Sequence, residues 1–206
     1  MSLRDFVVKL VVVKVVNILS IRNPGKLREV LSDPKRLARA FGRHTYGMLA
    51  WVDLFGGKLK SIKSLEMKIA ATRIIADNAK HAKLFSDRAK ELGESPETYK
   101  PPEIGQRIYD ILESYNDPFD EFAYAWGSLI HFSSLLDLYH SVADSKSRGV
   151  IEEVQKDVKV HLKMLEKYFE VNAKTSERKE RADEIRMIAD KIYTEREDVE
   201  LNFYAA

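Results

Sequence analysis

Apolar residues recur every three to four positions through four long segments of this chain, a period that an α-helix buries on one face. The first stripe is Leu37, Phe41, His44, Met48, Trp51 and Phe55. The second is Met67, Ala71, Ile74, Asn78, His81 and Phe85, and a later one is Ile151, Val154, Val158, His161, Leu165 and Tyr168. Between these lies a segment that is apolar on more than one side. Phe122, Ala125, Leu129, Phe132, Leu136 and Tyr139 form one stripe; Tyr124, Ser128, His131, Leu135 and Leu138 form another. A helix of that kind is buried from several directions. Strand alternation is hard to find, so the expected class is all-α.

Local punctuation divides the chain. Asp33-Pro34 and Asp117-Pro118 each put an acceptor at an N-cap and a proline at the first helical position. The helix opened by Asp33 is expected to end at Gly56-Gly57, where two glycines permit a reversal. A second helix spans about 61–92 and stops at Gly93. Residues 94–116, with Pro96, Pro101 and Pro102, form a long link carrying a short helix over about 104–114. A third long helix reaches about Asp144, Gly149 marks a short connection, and a fourth spans about 150–172. A charged helix over about 176–196 follows, with an apolar tail of Leu201, Phe203 and Tyr204 that can dock. Short links make two antiparallel hairpins, and the long one can carry the chain from one end of a bundle to the other. The whole chain, 1–206, reads as one domain with its core bundle at about 34–172.

Composition narrows the function. Lys plus Arg (34) nearly cancels Asp plus Glu (32), leaving +2, which offers no electrostatic case for nucleic acid. The chain has no cysteine, so disulfides, thiolate metal sites and cysteine nucleophiles are excluded. A cytoplasmic location is expected. Residues 6–21 are Val-rich, but Lys9, Lys14 and Asn17 break them into runs too short for a signal peptide or a membrane span. They are read as a core-packing or oligomer-forming segment, and at least a dimer is expected. There is no phosphate-binding G-x-x-x-x-G-K-[ST] loop, H-E-x-x-H or G-x-S-x-G.

The candidate site comes from polar residues inside the apolar stripes. His44, His81 and His161 each replace an apolar residue, on three different helices. Buried polar groups need partners, so a shared hydrogen-bond network or a metal would account for them. A repeat adds to this: Asp77-Asn78-Ala79-Lys80-His81 and Asp157-Val158-Lys159-Val160-His161 both read D-x-x-x-H, which sets carboxylate and imidazole on neighbouring turns of one face. The plain reading of each copy is a local Asp–His hydrogen bond, or an aspartate turned to solvent.

The segment ADNAKHAKLFSDRAKELG resembles the second core helix of ferritin-like di-iron proteins, whose motif is Asp-Glu-x-x-His, and the fourth helix resembles the second copy. The resemblance covers about 34–172 and implies a ferritin-like four-helix bundle with extra N- and C-terminal helices. It also shows what this chain lacks. Asn78 and Val158 stand where the motif has glutamate, the first-helix glutamate falls near His44, and the third falls near Tyr124, with Glu121 about a turn away. Bridging carboxylates hold two irons together and balance their charge, and imidazoles alone do this poorly.

Within the superfamily the chain looks most like subunits of the phenylacetyl-CoA ring-oxidation complex of phenylacetic acid catabolism, in particular the non-catalytic partner. That resemblance implies no catalytic residue and no resident cofactor, with a second copy or a homologous ferritin-like subunit as partner. The alternative is an atypical mononuclear or weak site for one Fe, Zn or Mn ion, which would fit an oxidoreductase, built from His44, His81 and His161 with Asp77 or Asp157 as ligand or support. A third reading is a small-molecule module that uses the bundle interior.

Overall fold

A computed structural model describes residues 21–206 as an all-α helical bundle. The helices are α1 (Pro24–Leu31), α2 (Pro34–Lys58), α3 (Leu65–Glu91), α4 (Glu103–Ser114), α5 (Pro118–Val142), α6 (Ser145–Asn172) and α7 (Ser176–Ala205), with a 3-10 turn at Pro96–Thr98. Among these residues there is no strand, and no helix is long and apolar enough to cross a membrane. The Val-rich segment, apart from Ile21, lies outside the described residues.

Both Asp-Pro starts form as expected. Asp33 accepts a hydrogen bond from the Lys35 amide at 2.8 Å, and Asp117 accepts one from the Phe119 amide at 3.0 Å. Four boundaries differ from the sequence reading. The second long helix begins at Leu65, four residues later than expected, where the Ser64 hydroxyl accepts from the Met67 amide at 3.3 Å. Gly56-Gly57 lies inside the last turn of α2, and the reversal follows Lys58. Gly149 lies inside α6, because Asp144 caps the helix earlier by accepting from the Lys146 and Ser147 amides at 2.9 and 3.1 Å. The C-terminal tail is not a separate docking segment: α7 runs to Ala205, burying Leu201 and Tyr204 while Phe203 stays exposed. Gly93 does stop the chain beyond α3, with a φ of +89° that a side chain would disfavour.

Side-chain pairs give the directions. Phe41 stacks on Phe85 near one end of α2 and α3, 5.4 Å between centroids. Asp77 meets His161, His81 meets Asp157, and Arg88 meets Ser147, so α3 and α6 are antiparallel. Phe122 meets Tyr168 while Asp137 meets Gln155, so α5 and α6 are antiparallel as well. Phe55 against Phe122 and His44 against Phe132 run α2 antiparallel to α5. The segment 94–116 therefore travels along the bundle before α5 begins.

Helix α5 is the central element. Besides α2 and α6 it is covered by α7, which runs parallel to it, from the Arg181–Asp120 pair to the Tyr193–His131 stack. At Gly127 the two helices are so close that a Cβ would meet Ala189 Cβ and the Arg186 carbonyl oxygen at 3.0 Å. This explains why the sequence of α5 is apolar on several sides. The core forms two clusters, one around Phe41, Phe85, Tyr139 and Val158 and one around Phe55, Ile74, Phe122 and Ile185.

Candidate functional site

The two D-x-x-x-H copies meet each other across the bundle. His81 Nε2 lies 3.0 Å from Asp157 Oδ2, and His161 Nε2 lies 2.8 Å from Asp77 Oδ2. The geometry follows from the repeat: in antiparallel helices, an aspartate one turn before a histidine comes level with the histidine of the opposite copy. The bonds are thus reciprocal and join α3 to α6, where a local bond within each helix was one sequence expectation.

An ionised carboxylate can only accept, so each Nε2 carries the proton and donates. Burial lowers the pKa of both imidazoles, with the facing aspartate opposing, so both rings are neutral at pH 7. Nδ1 is then the bare acceptor nitrogen on each ring. Both Nδ1 atoms are buried and have no hydrogen-bond partner among the described residues, and the ring centroids stand 6.4 Å apart. The aspartates reach the surface side of the clasp. Asp157 also bonds Lys80, which holds its carboxyl below the ordinary range against the opposing effect of burial, and Asp77 lies 3.5 Å from Arg73.

His44 belongs to a different network. The Arg43 guanidinium donates to its Nδ1 at 2.7 Å, which places the ring proton on Nε2, and Nε2 donates to the Tyr139 hydroxyl at 2.9 Å. Burial and then Arg43 lower its pKa, so it is neutral. The expectation of one polar region shared by His44, His81 and His161 is therefore corrected: two of the three are brought together, and the third is bound to Arg43 and Tyr139. Of the positions that the di-iron motif would fill with glutamate, Asn78 is buried beside the interior cavity and Val158 packs in the core. Among the described residues no three of His, Asp or Glu converge in metal-ligating geometry.

The largest buried charged group was missing from the sequence reading. Glu200 of α7 receives Arg43 Nε at 2.7 Å and the Tyr204 hydroxyl at 3.1 Å, and Arg196 Nε stands against the same carboxylate. Glu197, one turn away, accepts the backbone amides of Arg22 and Asn23 at 2.9 and 2.8 Å, tying the entry to α1 to the end of α7. Arg196, Glu197, Glu200, Leu201 and Tyr204 fall on one face at i, i+4 spacing, which is the signal that could have found them. Glu121 is buried too, at 1% exposure, and its Oε1 has no partner among the described residues. Burial pushes its carboxyl up to about 7, against the pull of Lys58.

Compared with protein-family models, curated proteins and solved structures, the chain finds no match.

Proposed function

We propose that this chain is a ferritin-like protein that serves as a non-catalytic structural or partner-binding member, of the kind that accompanies a catalytic subunit in ring-oxidation complexes such as that of phenylacetic acid degradation. The observation that carries the reading is the reciprocal Asp–His clasp. Both aspartates and both histidines of the repeat are engaged in joining α3 to α6, and an amide and a valine stand where bridging carboxylates would be needed. The antiparallel α2–α3 and α5–α6 pairs, with the link 94–116 running along the bundle, agree with the fold named. The partner is a second copy or a homologous helical subunit.

One observation favours a second reading. A carboxylate that accepts from one ring nitrogen and leaves the other bare is the arrangement that orients a ligating imidazole. His81 and His161 both have it, with Nδ1 buried and unpartnered among the described residues. On this reading they hold a single Fe, Zn or Mn ion.

Elemental analysis of protein purified without chelators, paired with sedimentation at micromolar concentration, separates the two. A metal-free protein that self-associates supports the first reading. One metal per chain, lost in His81→Leu together with any metal-dependent thermal shift, supports the second and overturns the first. Two irons per chain would overturn both.

A further inference from the structure

Toward one end of the bundle α3 and α6 part. Their last polar contact in that direction is Asp77 with His161. From there to Leu65 on α3 and Asn172 on α6, no hydrogen bond or ion pair joins the two helices among the described residues. The gap is a groove of about 420 Å³. Between His161 and Asn172 α6 runs about 16 Å, three helical turns. The buried side chains of Phe122 and Leu165 are the floor of the groove, and Met67, Met164 and Tyr168 line it as well. Leu65, Ile69 and Val171, at 69, 60 and 55% exposure, are the three most exposed large apolar side chains among the described residues. All three stand at this end of α3 and α6, with Ile69 and Val171 in the groove itself. Apolar surface gathered in this way marks an interaction site.

The charge around the groove points to what covers it. The two stretches that form it, 59–72 and 160–175, carry six lysines, Lys60, Lys63, Lys68, Lys163, Lys167 and Lys174, against three acids, Glu66, Glu166 and Glu170. All six lysines are exposed, and none makes an ion pair among the described residues. Farther along the same helices the cations are matched: Arg73 by Asp77, and Lys80 and Lys156 by Glu153. Outside these stretches basic and acidic residues nearly cancel, so the surplus belongs to this end. A second copy meeting the groove with the same face would set lysines against lysines. The chain's own Val-rich residues 1–20 carry Arg4, Lys9 and Lys14 against Asp5 alone, so they are no better a complement. A bilayer surface fits poorly too, because the buried floor lies below the helical walls. We propose that the α3–α6 groove binds an amphipathic helix of another protein. Its apolar side chains, at i, i+3 or i+4 and i+7, enter between Ile69 and Val171, and its acidic flanks face the lysines. This rests on the partner-binding reading and deepens it: of the two partners named there, it selects a different subunit that presents an acidic helix.

The probe is a fluorescent peptide of about 18 residues built of leucine and glutamate, with leucine at i, i+3, i+4 and i+7. One control keeps the composition and scrambles the leucine spacing; the other keeps the spacing and carries lysine for glutamate. Read by anisotropy against the full chain, the first peptide should bind saturably, and both controls should bind roughly tenfold more weakly or worse. Val171→Asp and Lys167→Glu change exposed side chains of the groove. In variants of native helicity each should weaken the peptide by roughly tenfold, because each adds a negative charge where the acidic helix docks. Leu49→Asp, at an exposed position of α2 outside the groove, should leave binding unchanged. Vesicles of phosphatidylcholine with phosphatidylserine form a second arm. Binding to them that is tighter than to the peptide and lost in Val171→Asp would assign the groove to lipid and overturn the proposal. Equal binding of the scrambled peptide, undiminished binding by a folded Val171→Asp variant, or no binding of any peptide would overturn it as well. If the chain then still associates with itself, the partner-binding reading stands and the acidic helix alone falls.

Discussion

The clasp between α3 and α6 and the charged knot between α2 and α7 bury polar groups in the same bundle, yet they are built on opposite plans. The clasp consists of two separate pairs, each a neutral imidazole facing an aspartate that still reaches toward water and a lysine or arginine. The knot consists of formal charges taken almost wholly out of water. Arg43, Arg196 and Glu200 are nearly fully covered, and one carboxylate serves two cations. A pair of the first kind can lose a partner and let water or a shifted side chain substitute. A charge of the second kind has nothing to fall back on.

The sharpest way to break this contrast is Glu200→Gln. Replacing the carboxylate with a neutral amide leaves two guanidiniums buried together, with one acceptor oxygen where Arg43, Arg196 and the Tyr204 hydroxyl now share two. The expected cost is about 3–5 kcal/mol in chemical denaturation, the range for breaking a buried ion pair on one side. A loss below about 1 kcal/mol would mean that the knot is hydrated and no more demanding than a surface pair.

The contrast also separates what the sequence could tell from what it could not. The long helices were legible because their signals are local: the apolar period, and the Asp-Pro starts at Asp33 and Asp117. The burial of α5 on several sides is legible in its two apolar stripes, although they do not say that α7 is what covers it. Gly149 reads as a connection in the sequence, but α6 starts earlier, at Asp144, because an aspartate that caps two amides decides a helix start more strongly than a glycine tolerated inside it. The repeat that makes the clasp was visible, but its pairing was not. Which aspartate serves which histidine depends on the register between two helices some eighty residues apart, as the His161–Asp77 separation of 84 shows. The knot was hidden for a different reason. Arg196, Glu197 and Glu200 have the composition of a solvated face, and only their spacing with Leu201 and Tyr204 marks them as buried.

Glu121 extends the comparison to a buried acid without a hydrogen-bond partner on Oε1 among the described residues. Its carboxyl is raised from 4.5 to about 7 by burial. The folded state therefore keeps a proton that the unfolded chain releases across that window, so stability falls as pH rises from about 4.5 to 7. His131 acts in the opposite sense. Burial lowers it to about 4 from 6.5, so the unfolded chain binds the extra proton and stability rises with pH over that range. The two contributions overlap, so total stability against pH is a poor test. The difference between the native chain and Glu121→Gln isolates one of them. That difference should move against the native chain by up to about 3 kcal/mol between pH 4.5 and 7. A flat difference would mean that the carboxyl is solvated and titrates normally.

The smallest expected effect tests the clasp itself, because it asks which residues are partners. If each D-x-x-x-H copy were a local unit, Asp77 would couple to His81 on its own helix. The bonds run the other way: Asp77 accepts from His161 at 2.8 Å, and His81 donates to Asp157. Double-mutant cycles by denaturation decide between these. Asp77→Ala and His161→Leu should be non-additive by about 1 kcal/mol, within the range for residues in one hydrogen-bonded pair, whereas Asp77→Ala and His81→Leu should add to within about 0.5 kcal/mol. The Arg73–Asp77 contact is lost in every variant that carries Asp77→Ala, so it cancels from the coupling. Each histidine change alone removes a buried donor from an aspartate that can still find water or a cation, so its cost should be on the order of 1–3 kcal/mol, below that of Glu200→Gln. Coupling of Asp77 to His81 in place of His161 would show that the helices are out of the register described, and the reciprocal clasp would fall with it.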